Sequence, residues 1–235
     1  MQDFGAAFGE AFRLVAALDR DLVEIVALSL QVSVSAVLAA AVIGLPIGAL
    51  LAVTRFPGRS AALVLLNALM GLPPVVVGLL VYLALSRAGP LGPLGLLYTP
   101  AAMVIAQMIL VIPIVAAIGR QTIEDLRDEY DEQLRALGVG PVGMMATLLW
   151  DARFSLLTTL LAGFGRAIAE VGAVIIVGGN IDHVTRVMTT AIALETSKGD
   201  LALALGLGLI LLFLAVSVNA AVMAIRRTAR HAAFA

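Results

Sequence analysis

Apolar runs of about 20 residues, the length that crosses a hydrocarbon core, recur along the chain between short polar or breaker-rich segments. The first spans Val26 to Val53 and closes at Thr54-Arg55-Phe56-Pro57-Gly58-Arg59, a turn of breakers. The second, Ala61 to Leu85, holds Pro73-Pro74, which remove two backbone donors and predict a local kink or break. The third, Ala101 to Ile118, follows a Gly/Pro-rich loop from Ala88 to Pro100 and is expected to be interrupted at Pro113. Phe154 to Val177 and Leu201 to Ile225 supply the fourth and fifth. This pattern predicts an all-α polytopic membrane protein with five transmembrane helices. Phe8 to Leu22 mixes apolar and charged residues at helical spacing, which suits an amphipathic helix lying in the outer interface. A further span there would bury Asp19, Arg20, Asp21 and Glu24. The expected organisation is an interfacial helix at 1–22, a transmembrane domain at 23–227 with a loop at 119–153, and a tail at 228–235.

That loop breaks the apolar pattern. Glu124, Asp125, Asp128, Glu129, Asp131 and Glu132 crowd into one short stretch, which hydrocarbon cannot hold and which must project into water. From Gln121 to Leu137, Ile123, Leu126, Tyr130, Leu134 and Leu137 step by three or four, the repeat of one helical face. Gly138, with Gly140-Pro141 and Gly143 behind it, ends that helix, and Val142 to Trp150 can begin another. The product is a helical knob with an apolar stripe. Two readings of it stand open: a solvated hairpin folded back on the membrane surface, or a lever docking in a cleft of a cytoplasmic subunit.

Composition narrows the class. The chain of 235 residues is 61% hydrophobic and 13% charged, whereas a soluble domain carries about 25% charged residues. A net charge of -1 and no basic run longer than Arg226-Arg227 argue against a nucleic-acid partner. Absence of cysteine excludes disulfides and thiolate metal sites. The first twenty residues carry Asp3, Glu10, Arg13, Asp19 and Arg20 and lack the unbroken apolar core of a cleavable signal peptide. With the amino terminus outside, nine of the fifteen Lys plus Arg fall on the inner side, namely Arg55, Arg59, Arg120, Arg127, Arg135, Arg153, Arg226, Arg227 and Arg230. That excess predicts a cytoplasmic knob and carboxyl terminus in a plasma or inner membrane.

Within the spans, Arg166 and Glu170 are the charged candidates. Four residues apart, they are expected on one helix face, where they either pair to fix packing or contact a translocated ion. Glu170 would repel a dianion, so Arg166 is the better anion contact, and a transient one, since tight binding would slow release. Asn67, Gln107, Ser33, Ser35, Thr158 and Thr159 offer neutral hydrogen-bonding groups that line a path or join helices. Gly163, Gly165, Gly172, Gly178 and Gly179 permit close approach or hinging. His183 and His231 are single histidines in hydrophilic surroundings, expected to be solvated and not metal-bound. Gly179-Asn180-Ile181-Asp182-His183 reads as an outer turn.

Glu132-Gln133-Leu134-Arg135-Ala136-Leu137-Gly138 places a glutamate, five intervening residues and a glycine in the polar loop of a five-span chain. It resembles the EAA motif of ATP-binding-cassette importer permeases. Arg166-Ala167-Ile168-Ala169-Glu170-Val171-Gly172-Ala173, continuing to Gly178-Gly179-Asn180-Ile181, resembles the molybdate, sulfate and especially tungstate permeases. Thr189-Thr190-Ala191-Ile192-Ala193-Leu194-Glu195-Thr196 is similar to the tungstate-type members, and Gly44-Leu45-Pro46-Ile47-Gly48 and Leu72-Pro73-Pro74-Val75-Val76-Val77-Gly78 also fit. The chain departs from the motif where its usual alanines are Gln133 and Leu134, and where Asp151 replaces a closing proline. The resemblance covers about Leu22 to Arg227 and implies a permease subunit that translocates an oxyanion, tungstate or molybdate. It further implies a homodimer in membrane lipid, a cytoplasmic ATPase dimer carrying ATP and Mg, an extracytoplasmic oxyanion-binding protein, and ATPase coupling through Glu132 to Gly138. Arg166, Glu170, Gly172, Asn67 and Gln107 are the pathway candidates.

Nothing in the chain predicts catalysis or a cofactor of its own. No Gly-x-x-x-x-Gly-Lys-Ser/Thr phosphate loop occurs, and Lys198 is the sole lysine. Energy for import has to come from a separate ATPase. An ion-gradient-driven transporter or channel is the alternative, although it would carry more intramembrane titratable groups. A non-transporting scaffold is a second alternative, with less need of prolines and glycines inside its spans.

Overall fold

The computed structural model describes residues 19–233 together with Gly9, Arg13, Ala16 and Ala17, with side chains as far as Ala224. Most of the interfacial helix expected at 8–22, and the side chains of the tail, lie outside the described residues. Helices follow in the order α1 (Arg20–Val53), α2 (Arg59–Met70), α3 (Pro74–Leu85), α4 (Pro100–Ala136), α5 (Pro141–Asp151), α6 (Arg153–Ile168), α7 (Gly172–Gly178), α8 (Met188–Lys198) and α9 (Leu201–Ala233). No strand occurs among the described residues.

Three helices, α1, α4 and α9, are long and apolar enough to cross a membrane. Two further runs are bent pairs, α2 with α3 at 96° and α6 with α7 at 60°, so the span count is five when each pair is taken as one. Pro73-Pro74 produces the sharper bend. Residue 72 precedes a proline and is pushed away from helical angles, while Pro74 sits at the first helical position, where its missing N–H costs nothing. Pro113, in contrast, does not interrupt its run: α4 continues through it, as α1 does through Pro46. Losing one backbone hydrogen bond costs less than opening a helix where no water replaces the rest. The expected single helix over the fourth run divides at 169–171 instead, and α8 is a separate helix that the sequence pattern did not announce.

The chain forms two compact units. The first comprises residues 1–35, 73–107 and 168–218. Within it α3 and α7 cross so closely that a Cβ on Gly78 would lie 2.7 Å from the Ala173 Cα. The second comprises 36–72, 108–167 and 219–235. There α1 and α4 meet at Gly44 and Gly48, where a Cβ on Gly48 would stand 2.5 Å from the Ala116 carbonyl oxygen. A buried cluster of Ala49, Ala52, Val53, Ile123, Met144, Leu148, Ala152 and Leu156 joins the last turns of α1 to α4, α5 and α6.

Candidate functional site

The polar loop of the second unit folds as a helix, a glycine turn and a second helix. Its turn is a Schellman closure: the Val139 N–H donates to the Leu134 carbonyl at 3.0 Å and the Gly138 N–H to the Arg135 carbonyl at 2.9 Å. Such a closure needs a left-handed residue, and Gly138 supplies it at φ 71°. Leu134 and Val139, flanking the turn, both pack against the buried cluster, which fixes the direction in which α5 leaves. Ile123, Leu126, Tyr130 and Leu134 lie against that cluster as their spacing predicts. Leu137 does not: it falls past the last residue of α4 and is 78% exposed, and Val142 on α5 is 79% exposed. Glu132, Gln133, Arg135, Ala136 and Gly138 are exposed as well. The tip of the knob therefore offers water a mixed apolar and charged surface.

Polar ties hold its root. Glu124 bridges Arg59 and Arg120, and the Arg59 Nε donates to the Leu51 carbonyl at 2.8 Å. Arg127 is buried. The sequence marks Glu124 only as one of the loop carboxylates and Arg127 only as one of the inner-side arginines, although Arg127 lies among the apolar positions between Ile123 and Tyr130.

The fourth run breaks in the first unit at Glu170, which is buried at 3% exposure. Its Oε1 accepts the Ala173 N–H at 3.0 Å, so the carboxylate closes the first turn of α7, and its carbonyl accepts the Thr189 hydroxyl at 2.8 Å. Arg166 and Glu170 do not stand on one continuous helix as their spacing predicts, because α6 ends at Ile168 and Glu170 stands in the break beyond it. Gly172 opens α7 with Val75 against it: a Cβ there would meet the Val75 Cγ2 at 2.9 Å. Gln107 lines a cavity of about 10 Å³ with Ser29, Ser33 and Thr189, space for about one water. Ser29 also accepts the Met188 N–H at 2.8 Å. Arg166, half-buried in the last turn of α6, and Asn67, exposed on α2, belong to the second unit.

His183 is less isolated than its sequence surroundings suggest. Its Nδ1 lies 3.1 Å from the Glu24 Oε2, and donor atoms of Asp21, Glu24 and His183 fall within 4.8 Å of one another. The Glu24 hydrogen bond, then the Asp182 charge, raise the imidazole pKa above its ordinary value. These groups border a cavity of about 370 Å³ with Asp19, Asp182, Arg186 and Asp200. His231 lies beyond the described side chains.

A family model described as the binding-protein-dependent transport system inner membrane component matches residues 44–231. The chain belongs to this family. Members are permease components, the non-catalytic part of ATP-binding-cassette transporters, so this family member is a multi-pass inner-membrane protein. It is 37% identical over 226 residues, 96% of this chain and 99% of the relative, to a tungstate uptake system permease protein of Peptoclostridium acidaminophilum. To a probable anion ABC transporter permease protein of Haloferax volcanii it is 42% identical over 185 residues, 77% of this chain and 80% of the relative. A molybdenum transport system permease protein of Azotobacter vinelandii is more distant, at 29% over 159 residues, 64% of this chain and 70% of the relative.

Proposed function

We propose that this inner-membrane component carries an oxyanion inward, tungstate first and molybdate next, as the permease subunit of an ATP-driven importer. The observation that carries the reading is the likeness to a tungstate uptake permease across 96% of the chain. Two copies enclose the pathway around a two-fold axis. An extracytoplasmic binding protein delivers the anion on the side of the 179–183 turn. A cytoplasmic ATPase, carrying ATP and Mg, meets the knob built on Glu132, Gln133, Leu134, Arg135, Ala136, Leu137 and Gly138, whose exposed Leu137 and Val142 have the character of a docking tip. Hydrolysis then biases an inward-open against an outward-open dimer.

The capping contact of Glu170 supports a packing role for that carboxylate, which leaves Gln107 and the hydroxyls around its small cavity as the neutral pathway candidates of the first unit. Neutral donors hold a dianion weakly enough to release it, which a transporter requires. Vesicles containing the permease, its ATPase and its binding protein are expected to accumulate tungstate on ATP addition, with molybdate as the strongest competitor and sulfate a weak one. Accumulation without the ATPase, or sulfate competing as well as molybdate, would refute the reading.

A further inference from the structure

One charged side chain of the knob's root is not on its surface. Arg127, on the part of α4 beyond the apolar run, is only 7% exposed. Its Nη1 donates to the Ala52 carbonyl at 2.9 Å, while its Nε stands 3.7 Å from the Asp131 Oδ1. The other Asp131 oxygen takes the Arg135 Nε at 2.9 Å. Ala52 is the penultimate residue of α1, so its carbonyl is among the last four of that helix, which have no partner within the helix. A guanidinium there satisfies an orphan acceptor at the negative end of a helix dipole. The neighbouring Leu51 carbonyl is satisfied in the same manner by Arg59, which Glu124 of α4 holds in turn.

We infer that Arg127 is a positioning residue that fastens the knob to the end of α1, so that displacement of the knob is passed into that helix. This rests on the reading of the knob as the place where the ATPase acts. Ala49, Ala52 and Val53 share a buried cluster with Ile123, and apolar contact of that kind is non-directional. The arginine adds a directional bond to main chain, and main chain cannot yield without moving the helix. Asp131 and Arg135 extend the tie along α4 to within three residues of Gly138. Close packing of Gly44 and Gly48 on α4 carries the same helix pair onward in register. Sequence alone offers the residue but not its partner, since a backbone carbonyl 75 positions away leaves no trace in a side-chain pattern.

The test uses the assembled importer in proteoliposomes, with ATP hydrolysis and tungstate uptake measured on the same vesicles. Arg127→Met is expected to leave hydrolysis within about twofold of the parent while uptake per ATP falls severalfold. Arg127→Lys keeps a donor for Ala52 but lacks the fork that spans to Asp131, so its ratio should lie between the two. Unchanged uptake per ATP in Arg127→Met would overturn the inference, as would hydrolysis and uptake falling in proportion, which marks a merely structural arginine. Should Arg127→Met fail to assemble, Asp131→Asn decides: a severalfold lower uptake per ATP supports the tie and an unchanged ratio refutes it. Parent vesicles that take up no tungstate or molybdate would count against the proposed function, independently of any variant.

Discussion

Gly138 shows how much one backbone angle carries. A Cβ there would meet nothing within 4 Å, so space is not what excludes a side chain. The φ of 71° is: a non-glycine residue in that region costs about 1–2 kcal/mol. Gly138→Ala should therefore insert in the membrane normally and weaken the turn by about 1 kcal/mol, and Gly138→Val by more, because branching at Cβ sharpens the clash. Both should lower uptake per ATP, with the larger side chain having the larger effect. Parent-like transport by Gly138→Val in vesicles would tell against the knob as a lever.

At the level of elements, the short helix α7 depends on the carboxylate before it. Glu170→Ala removes the acceptor for the Ala173 N–H and should cost about 1 kcal/mol, seen as a lower melting temperature of the purified complex. Glu170→Gln retains an oxygen acceptor and should melt close to the parent. Uptake that falls in Glu170→Gln at unchanged melting temperature would instead mark the negative charge as acting on the pathway. Helices were legible in the chain where apolar length or a 3.6-residue period marks them, as in α1, α4 and α9, and at the glycine turn after α4. The break at 169–171 was not, because the contact that accompanies it is a hydrogen bond between the Glu170 side chain and main chain three residues on, set among apolar neighbours that read as one span. Continuity through Pro113 escaped for the opposite reason: proline's local cost is visible in sequence, while the helix around it that absorbs the cost is not. The candidate site divides in the same way. Spacing placed Ile123, Leu126, Tyr130 and Leu134 on the buried face, but the pairing of His183 with Glu24 spans 159 positions and has no sequence signature.

For the whole molecule, orientation is the property on which the functional reading turns. The bias of arginines toward the ends flanking the knob predicts an inner-side location for it and an outer location for the turn at 179–183. Only 17% of the apolar window of α9 is buried within this chain, against 56% for α4, so the last helix is left to contact lipid or a second copy. On the expectation from the arginine bias, charge sets the orientation, with each arginine on the inner side opposing translocation of its segment. The natural absence of cysteine makes this directly measurable. Asp128→Cys on the polar part of α4 and Ile181→Cys in the turn at 179–183 each introduce one thiol at an exposed position. In intact cells a membrane-impermeant maleimide should label Ile181→Cys and spare Asp128→Cys, which should react only after the membrane is opened. The reverse pattern would put the knob on the outer face, where no ATPase can reach it, and would remove the basis for energy coupling through Glu132 to Gly138. Equal labelling of both sites in intact cells would mean that the arginine bias does not fix a single topology.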